Sequence, residues 1–170
     1  MCHSLVGSEM CIRDSPGGVF GDALDKKGGT SIEYIRQFMK GKFPGAPKFA
    51  VLISDVKDIA KAHVACIGNN KVGGRRLIVG KEVKRLVELS QLIAEAMPEY
   101  KKKLPTKELP NLMVKLISYI DSSAKTMIPD LGIMMQTDTS YAEEILGFKF
   151  KPAKGCISEN ARSVVRLGLV

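Results

Sequence analysis

The sequence contains no tryptophan, and aromatic residues make up only 6% of it. Platforms on which bases could stack are therefore scarce, which argues against a nucleic-acid partner in spite of the net charge of +8. The basic residues are also scattered, with only Lys101, Lys102 and Lys103 in a run, so the excess reads as a solvated basic surface. No apolar run approaches the roughly 20 residues that a membrane helix requires. The opening residues have neither the basic start nor the long apolar stretch of a signal peptide. Four cysteines are present, Cys2, Cys11, Cys66 and Cys156, but no two form a CxxC pair. A disulfide framework is not indicated, and a reducing, cytoplasmic compartment is expected. Cys2, His3 and Cys11 lack metal-site spacing and a fourth partner, so no metal site is expected.

What is present is the composition of a globular α/β chain: 45% hydrophobic and 26% charged over 170 residues. The chain is organised around Phe49 to Ile67. Phe49 to Ile53 is a short apolar run, which reads as a buried strand. Asp55 follows as a helix cap, and Asp58 adds a favourable charge to the first turn. Val56, Ile59, Ala60, His63 and Ile67 then mark one helix face, on which His63 is expected to be buried and structural. Cys66 reads as a small core residue.

Residues 1–14 do not share this character. They hold no clear period, and SLVGSEMCIRDS resembles the peptide encoded by a translated sequencing adapter. We expect a non-native leader over 1–14 and α/β material over 15–170, with a disordered tail or a short strand at Met10 to Ile12 as the alternatives. Ser15 to Gly21 places a proline and three glycines where backbone could approach a ligand, although GxGxxG spacing is not met and no clear strand precedes it. Residues 22–29 form a polar loop. Thr30 to Glu33 predicts a capping box opening a helix with Ile32, Ile35, Phe38 and Met39 inward, ended by Gly41. A strand over 75–79 is followed by a helix carrying Leu86, Leu89, Ser90, Ile93, Ala94 and Met97. Pro110 opens a further helix with the stripe Leu112, Met113, Leu116, Ile117 and Ile120. Met113, Met127, Met134 and Met135 read as core filling. Thr137 to Ser140 caps a short helix stopped by Gly147, Phe148 to Phe150 is extended, and a last helix carries Ile157, Ala161, Val164 and Val165.

Four stretches together resemble the C-terminal half of an extended short-chain dehydrogenase/reductase, in particular its dihydroflavonol-reductase-like branch. SPGGVFGDAL resembles the family's Asn-Pro-x-x-Val-x-Gly-Pro segment. TSIEYIRQFMKGKFPGAP resembles the helix and turn that follow it. ISDVKDIAKAHVACI resembles the aspartate-rich strand-to-helix unit, and TDTSYAEEILGFKFKPAKGCISENARSVVRLG the C-terminal signature. The resemblance covers about residues 15–170. It implies an α/β fold: the last elements of an NAD(P)-binding Rossmann-type domain, with the substrate-binding region.

It further implies NADP or NAD as cofactor and a small-molecule carbonyl as substrate, with Pro16, Gly17 and Val19 beside the nicotinamide end and Ser31 near the cofactor as well. The substrate pocket is expected between the Asp22–Thr30 loop, Leu52 to Ser54, and residues 105–135. The family's glycine-rich phosphate loop is absent, and so is its YxxxK pair. Tyr34, Tyr100, Tyr119 and Tyr141 are followed four residues on by Phe38, Leu104, Ser123 and Ile145. Ser15 stands where the family has Asn and Asp22 where it has Pro. We therefore expect no catalytic residues here and a reductase fragment that is inactive by itself. A nucleotide-sugar epimerase or dehydratase fragment is the second reading, and a non-enzymatic binding module the third. Oligomeric state is not legible.

Overall fold

A computed structural model describes residues 13–27, 29–67, 69–74, 76–117, 119 and 128–170. The chain begins with β1 (Arg13–Pro16), β2 (Gly18–Phe20), α1 (Thr30–Met39) and the short β3 (Ala46–Pro47). The central unit is β4 (Ala50–Asp55) running into α2 (Val56–Cys66), followed by β5 (Arg76–Val79), β6 (Glu82–Arg85) and α3 (Leu86–Ala96). Then come β7 (Glu108–Leu109), α4 (Asn111–Ile117), α5 (Ser140–Leu146) and α6 (Ala153–Arg166).

The strands form three small sheets. β1 pairs in parallel with β5, and β3 in parallel with β7. β4 is central to the third, flanked by parallel β2 and antiparallel β6. β4 is buried along nearly its whole length because helices lie on it, which is why its apolar run barely alternates.

Two cores result. The larger lies between the β2–β4–β6 sheet and helices α1, α3 and α6, and holds Phe20, Ile35, Phe38, Met39, Ile53, Leu89, Ile93, Ile157 and Val164. The smaller lies between the β1–β5 pair and helices α2 and α5, and holds Ala62, Cys66, Leu77, Val79, Ala142, Leu146 and Phe150.

The expected strand and helix at 49–67 form, and the Asp55 carboxylate accepts from the Lys57 N–H at 2.8 Å as the cap. The buried face of α2 is not the expected one. Asp58, Ala62 and Cys66 turn inward, while Val56, Ala60, His63, Val64 and Ile67 are exposed. The small Ala62 and Cys66 let the helix lie close to β5, and inward Asp58 accepts the Lys151 N–H at 2.6 Å. His63 is accordingly not a core residue. Its Nδ1 lies 2.8 Å from the Ile59 carbonyl, on the open side of the helix.

Other departures have equally local causes. The capping box at Thr30 does not form: Gly29 is the N-cap, and Glu33 reaches Arg36 and Gln37 instead. In α4 the expected stripe faces outward at Leu112, Met113 and Leu116, while Val114 is the buried residue. Met134 and Met135 are exposed as well, so those methionines do not fill a core. β1 does precede Gly18, and β6 was not anticipated because Glu82, Lys84 and Arg85 mask its single apolar residue. Residues 13 and 14 of the expected leader lie in β1, beside Arg76 and Leu77. Met10 to Ile12, Ile120 and Met127 lie outside the described residues.

Candidate functional site

Pro16, Gly17 and Val19 occupy the crossing where the chain leaves one sheet and enters another. β1 ends at Pro16 beside Val79, and β2 begins at Gly18 beside Ile53. Gly17 is the single residue between them. A Cβ there would fall 2.2 Å from the Leu52 carbonyl oxygen, so only glycine fits. Gly80, at the equivalent exit of β5, presses on the other side of Leu52, where a Cβ would meet its Cγ at 2.7 Å. These two glycines serve the close approach of backbone to Leu52 within the fold.

Ser54 pins the crossing. It is fully buried, its Oγ accepts from the Gly17 N–H at 2.9 Å, and the same hydroxyl donates to the Val79 carbonyl at 2.6 Å. One side chain thus ties both sheets together, satisfying two backbone groups that would otherwise be buried unpaired. Pro16 is exposed, and Val19 keeps 37% of its surface open. Ser31 is half-buried in the first turn of α1, a helix that packs on β2. It makes no hydrogen bond to the Pro16–Val19 stretch among the described residues.

The loop after β2 is fastened by α6. Asn160 donates to the Gly21 carbonyl at 2.7 Å, Ser163 Oγ accepts from the Ala23 N–H at 3.0 Å, and Arg166 reaches Asp22 and the Ala23 carbonyl. Sequence reading passed over these anchors. Asn160 and Ser163 are polar residues on or beside the apolar stripe Ile157, Ala161 and Val164, which was the available signal.

The charged groups around the site serve to hold it. Asp55, buried at the end of β4, faces Lys151, which also pairs with Glu159. Burial lowers the Lys151 pKa, but Glu159 and Asp55 more than offset this and raise it. Burial pushes the Cys156 thiol up to about 12, and nearby Asp55 adds to the shift, so this cysteine stays protonated and inert. Glu143 of α5 receives Lys81 at 2.7 Å, Lys149 at 3.0 Å and the Phe150 N–H at 2.9 Å. Burial raises its pKa, and these three donors outweigh that and bring it to about 2. Among the described residues, no group of three or more His, Cys, Asp or Glu is arranged to hold a metal ion. None of their helices is long and apolar enough to cross a membrane.

The described part of the site can therefore shape a surface and present an exposed proline and valine. Two of the tyrosines are placed by their surroundings. Tyr100 lies under Lys103, 5.6 Å from its ring centroid, and Tyr119 is exposed.

No protein-family model matches the chain, and no curated protein matches it. Solved structures do. The yeast methylglyoxal/isovaleraldehyde reductase complexed with NADPH is 24% identical with a TM-score of 0.67, over 92% of this chain and 47% of that one. A nucleoside-diphosphate-sugar epimerase from Pseudomonas aeruginosa is 16% identical with a TM-score of 0.70, over 92% and 48%. Vestitone reductase from alfalfa is 18% identical with a TM-score of 0.64, over 94% and 45%.

The chain spans a little under half the length of these structures. At such identities the likeness is one of fold. The class it defines is a fold, the Rossmann-type α/β arrangement of these reductases and this epimerase. In particular, this chain has part of that fold.

Proposed function

We propose that this chain is the C-terminal half of an NAD(P)H-dependent reductase of aldehydes or ketones, cytoplasmic and without a nucleic-acid partner. The observation that carries the reading is the crossing at Gly17. Its geometry leaves Pro16 and Val19 open on the same stretch whose sequence resembles the family's nicotinamide-side segment. Bound NADPH would supply the hydride. This chain's contribution would be positional: Pro16, Gly17 and Val19 would line the nicotinamide end, and Ser31 would stand at the head of the adjoining helix.

The fit extends no further than that end. Pyrophosphate binding in Rossmann folds uses backbone N–H groups of a glycine-rich turn at a helix start, and the sequence has no such GxGxxG turn. No tyrosine stands in YxxxK spacing to serve as general acid. We therefore expect the 170-residue chain to be inactive by itself, with NADPH affinity no stronger than about 4 kcal/mol, a Kd in the millimolar range or weaker. The test is titration with NADPH followed by a carbonyl-reduction assay, beside a version joined to an upstream half from a related reductase. Turnover by the short chain alone would overturn the reading.

The likeness to the sugar-nucleotide epimerase supports a second reading, in which the substrate is a nucleotide sugar. Assaying the joined version with UDP-sugars separates the two.

A further inference from the structure

Cavities of molecular size open on the described surface, and two of them can be compared. The smaller, about 260 Å³, includes Arg36, whose guanidinium is already engaged by Glu33 at 2.6 Å, and it offers little unspent binding capacity. The larger, about 330 Å³, is built differently. It lies where β3 turns into β4, where β6 ends, and where β7 runs into α4.

Phe49 and Met134 are among the apolar side chains that line this cavity. The segment carrying Met134 is held in place by the Gly132 N–H, which donates to the Lys48 carbonyl at 2.7 Å. The polar lining is unbalanced. The Lys48 ammonium has no ion pair among the described residues. Arg85 meets Glu108 through a single 3.5 Å contact, which leaves most of its donor fork unused. The Asn111 carboxamide makes no hydrogen bond to another described residue. Two cations and one carboxylate leave a single positive charge in excess.

We propose that this cavity binds a small organic carboxylate with a short apolar body. The two oxygens of a carboxylate match the planar fork of Arg85, while Lys48 supplies a point charge and Asn111 a further donor. The apolar body lies against Phe49 and Met134. A cation would meet two like charges. A phosphate dianion would bring more charge than the one positive charge in excess and would face Glu108. A neutral ligand would cover unpaired donors without satisfying them, which costs affinity. The volume lies at the small end of the roughly 300–1,000 Å³ typical of small-molecule sites. Five of its lining residues, Glu108, Asn111, Gly132, Ile133 and Met134, fall in the 105–135 stretch expected to line the substrate pocket, so this proposal rests on the reductase reading and names a ligand class for that pocket, at a point apart from the crossing at Gly17. Arg85 faces Ala50 in register, whereas Gly18 faces Ile53, three residues or about 10 Å further along β4.

The experiment is titration of the full chain with phenylacetate, with phenylacetamide as neutral control, followed by ligand-observed NMR at low salt. Saturable one-to-one binding of the acid, at least tenfold tighter than the amide and weakened at least tenfold in Lys48→Gln and Arg85→Gln, is expected. Circular dichroism checks that the variants fold. Lys48 is exposed, so Lys48→Gln decides the matter if Arg85→Gln does not fold. Absence of saturation, equal binding of acid and amide, acid binding unchanged in Lys48→Gln, or inorganic phosphate binding more tightly than phenylacetate would each overturn the proposal.

Discussion

Helices α2 and α6 carry comparable apolar stripes in sequence and meet opposite fates. α6 buries Ile157, Ala161 and Val164 completely, because α1, α3 and the central sheet surround it. α2 buries Ala62 and Cys66, while Val64 and Ile67 stay 70% and 74% exposed. Periodicity reports that a face is apolar, not which part of the molecule covers it. In α6 the described chain supplies the cover. In α2 the second, smaller-residue face is chosen, and the larger apolar stripe is left in solvent.

The largest effects should separate the two helices directly. Ile157→Ala deletes a fully buried side chain and should cost about 2–5 kcal/mol through lost transfer energy and the cavity left behind. Ile67→Ala should stay within about 0.5 kcal/mol, as expected of an exposed position. Urea unfolding of both variants reads the difference. Equal losses would mean that the α2 stripe is covered in solution and the contrast is void.

The next effect tests what holds the smaller core beside α2. Glu143 has an ordinary pKa near 4.5 and a folded value of about 2. A depressed carboxylate stabilises the fold above its unfolded pKa and loses that contribution as pH falls from about 4.5 towards 2. A shift of this size corresponds to about 3 kcal/mol. Glu143→Gln should lower stability at pH 7 by about 2–3 kcal/mol and flatten the decline between those pH values, measured by urea midpoints across pH. A variant with the wild-type pH profile would show that Lys81, Lys149 and the Phe150 N–H are not acting on this carboxylate.

A third, smaller effect falls on the joint between the two cores. Ser54→Ala removes the hydroxyl shared by the Gly17 N–H and the Val79 carbonyl. The expected loss is about 1–2 kcal/mol, with faster hydrogen exchange at the Gly17 amide than at amides within α6. Unchanged exchange at Gly17 would show that another group holds the crossing.

The joint also marks how far the sequence could be read. The β4–α2 unit, its Asp55 cap, α1, α3, α5 with its Gly147 stop, and α6 follow from local period and punctuation. Each of these is decided within a dozen residues. The inward face of α2, the outward stripe of α4 and the strand β6 depend on partners distant in sequence, and a local period cannot choose between two faces. At the candidate site, the reason for Gly17 is Leu52, 35 positions on, for which the sequence carries no local mark. Asn160 and Ser163 were visible as polar residues near an apolar stripe. Their bonds to the loop after β2 span 139 and 140 residues and could not be assigned.

The smallest effect on stability carries the sharpest test of the comparison. Val56, Ala60, Val64 and Ile67 recur at helical spacing on the open side of α2 and form the kind of contiguous apolar patch that promotes association. Replacing Val64 and Ile67 by Lys puts charges where side chains already reach solvent, so no buried group is created and no cavity opens. The net charge rises from +8 by two, which adds mild repulsion between copies. Unfolding free energy should change by no more than about 0.5 kcal/mol, while concentration-dependent association, followed by sedimentation velocity and light scattering, should fall sharply relative to the parent chain. The same two substitutions in α6, Ile157→Lys and Val164→Lys, should abolish folding. A parent chain already monodisperse at high concentration, combined with a marked loss of stability in the α2 double variant, would show that the stripe is packed in solution. The two helices would then differ in degree only.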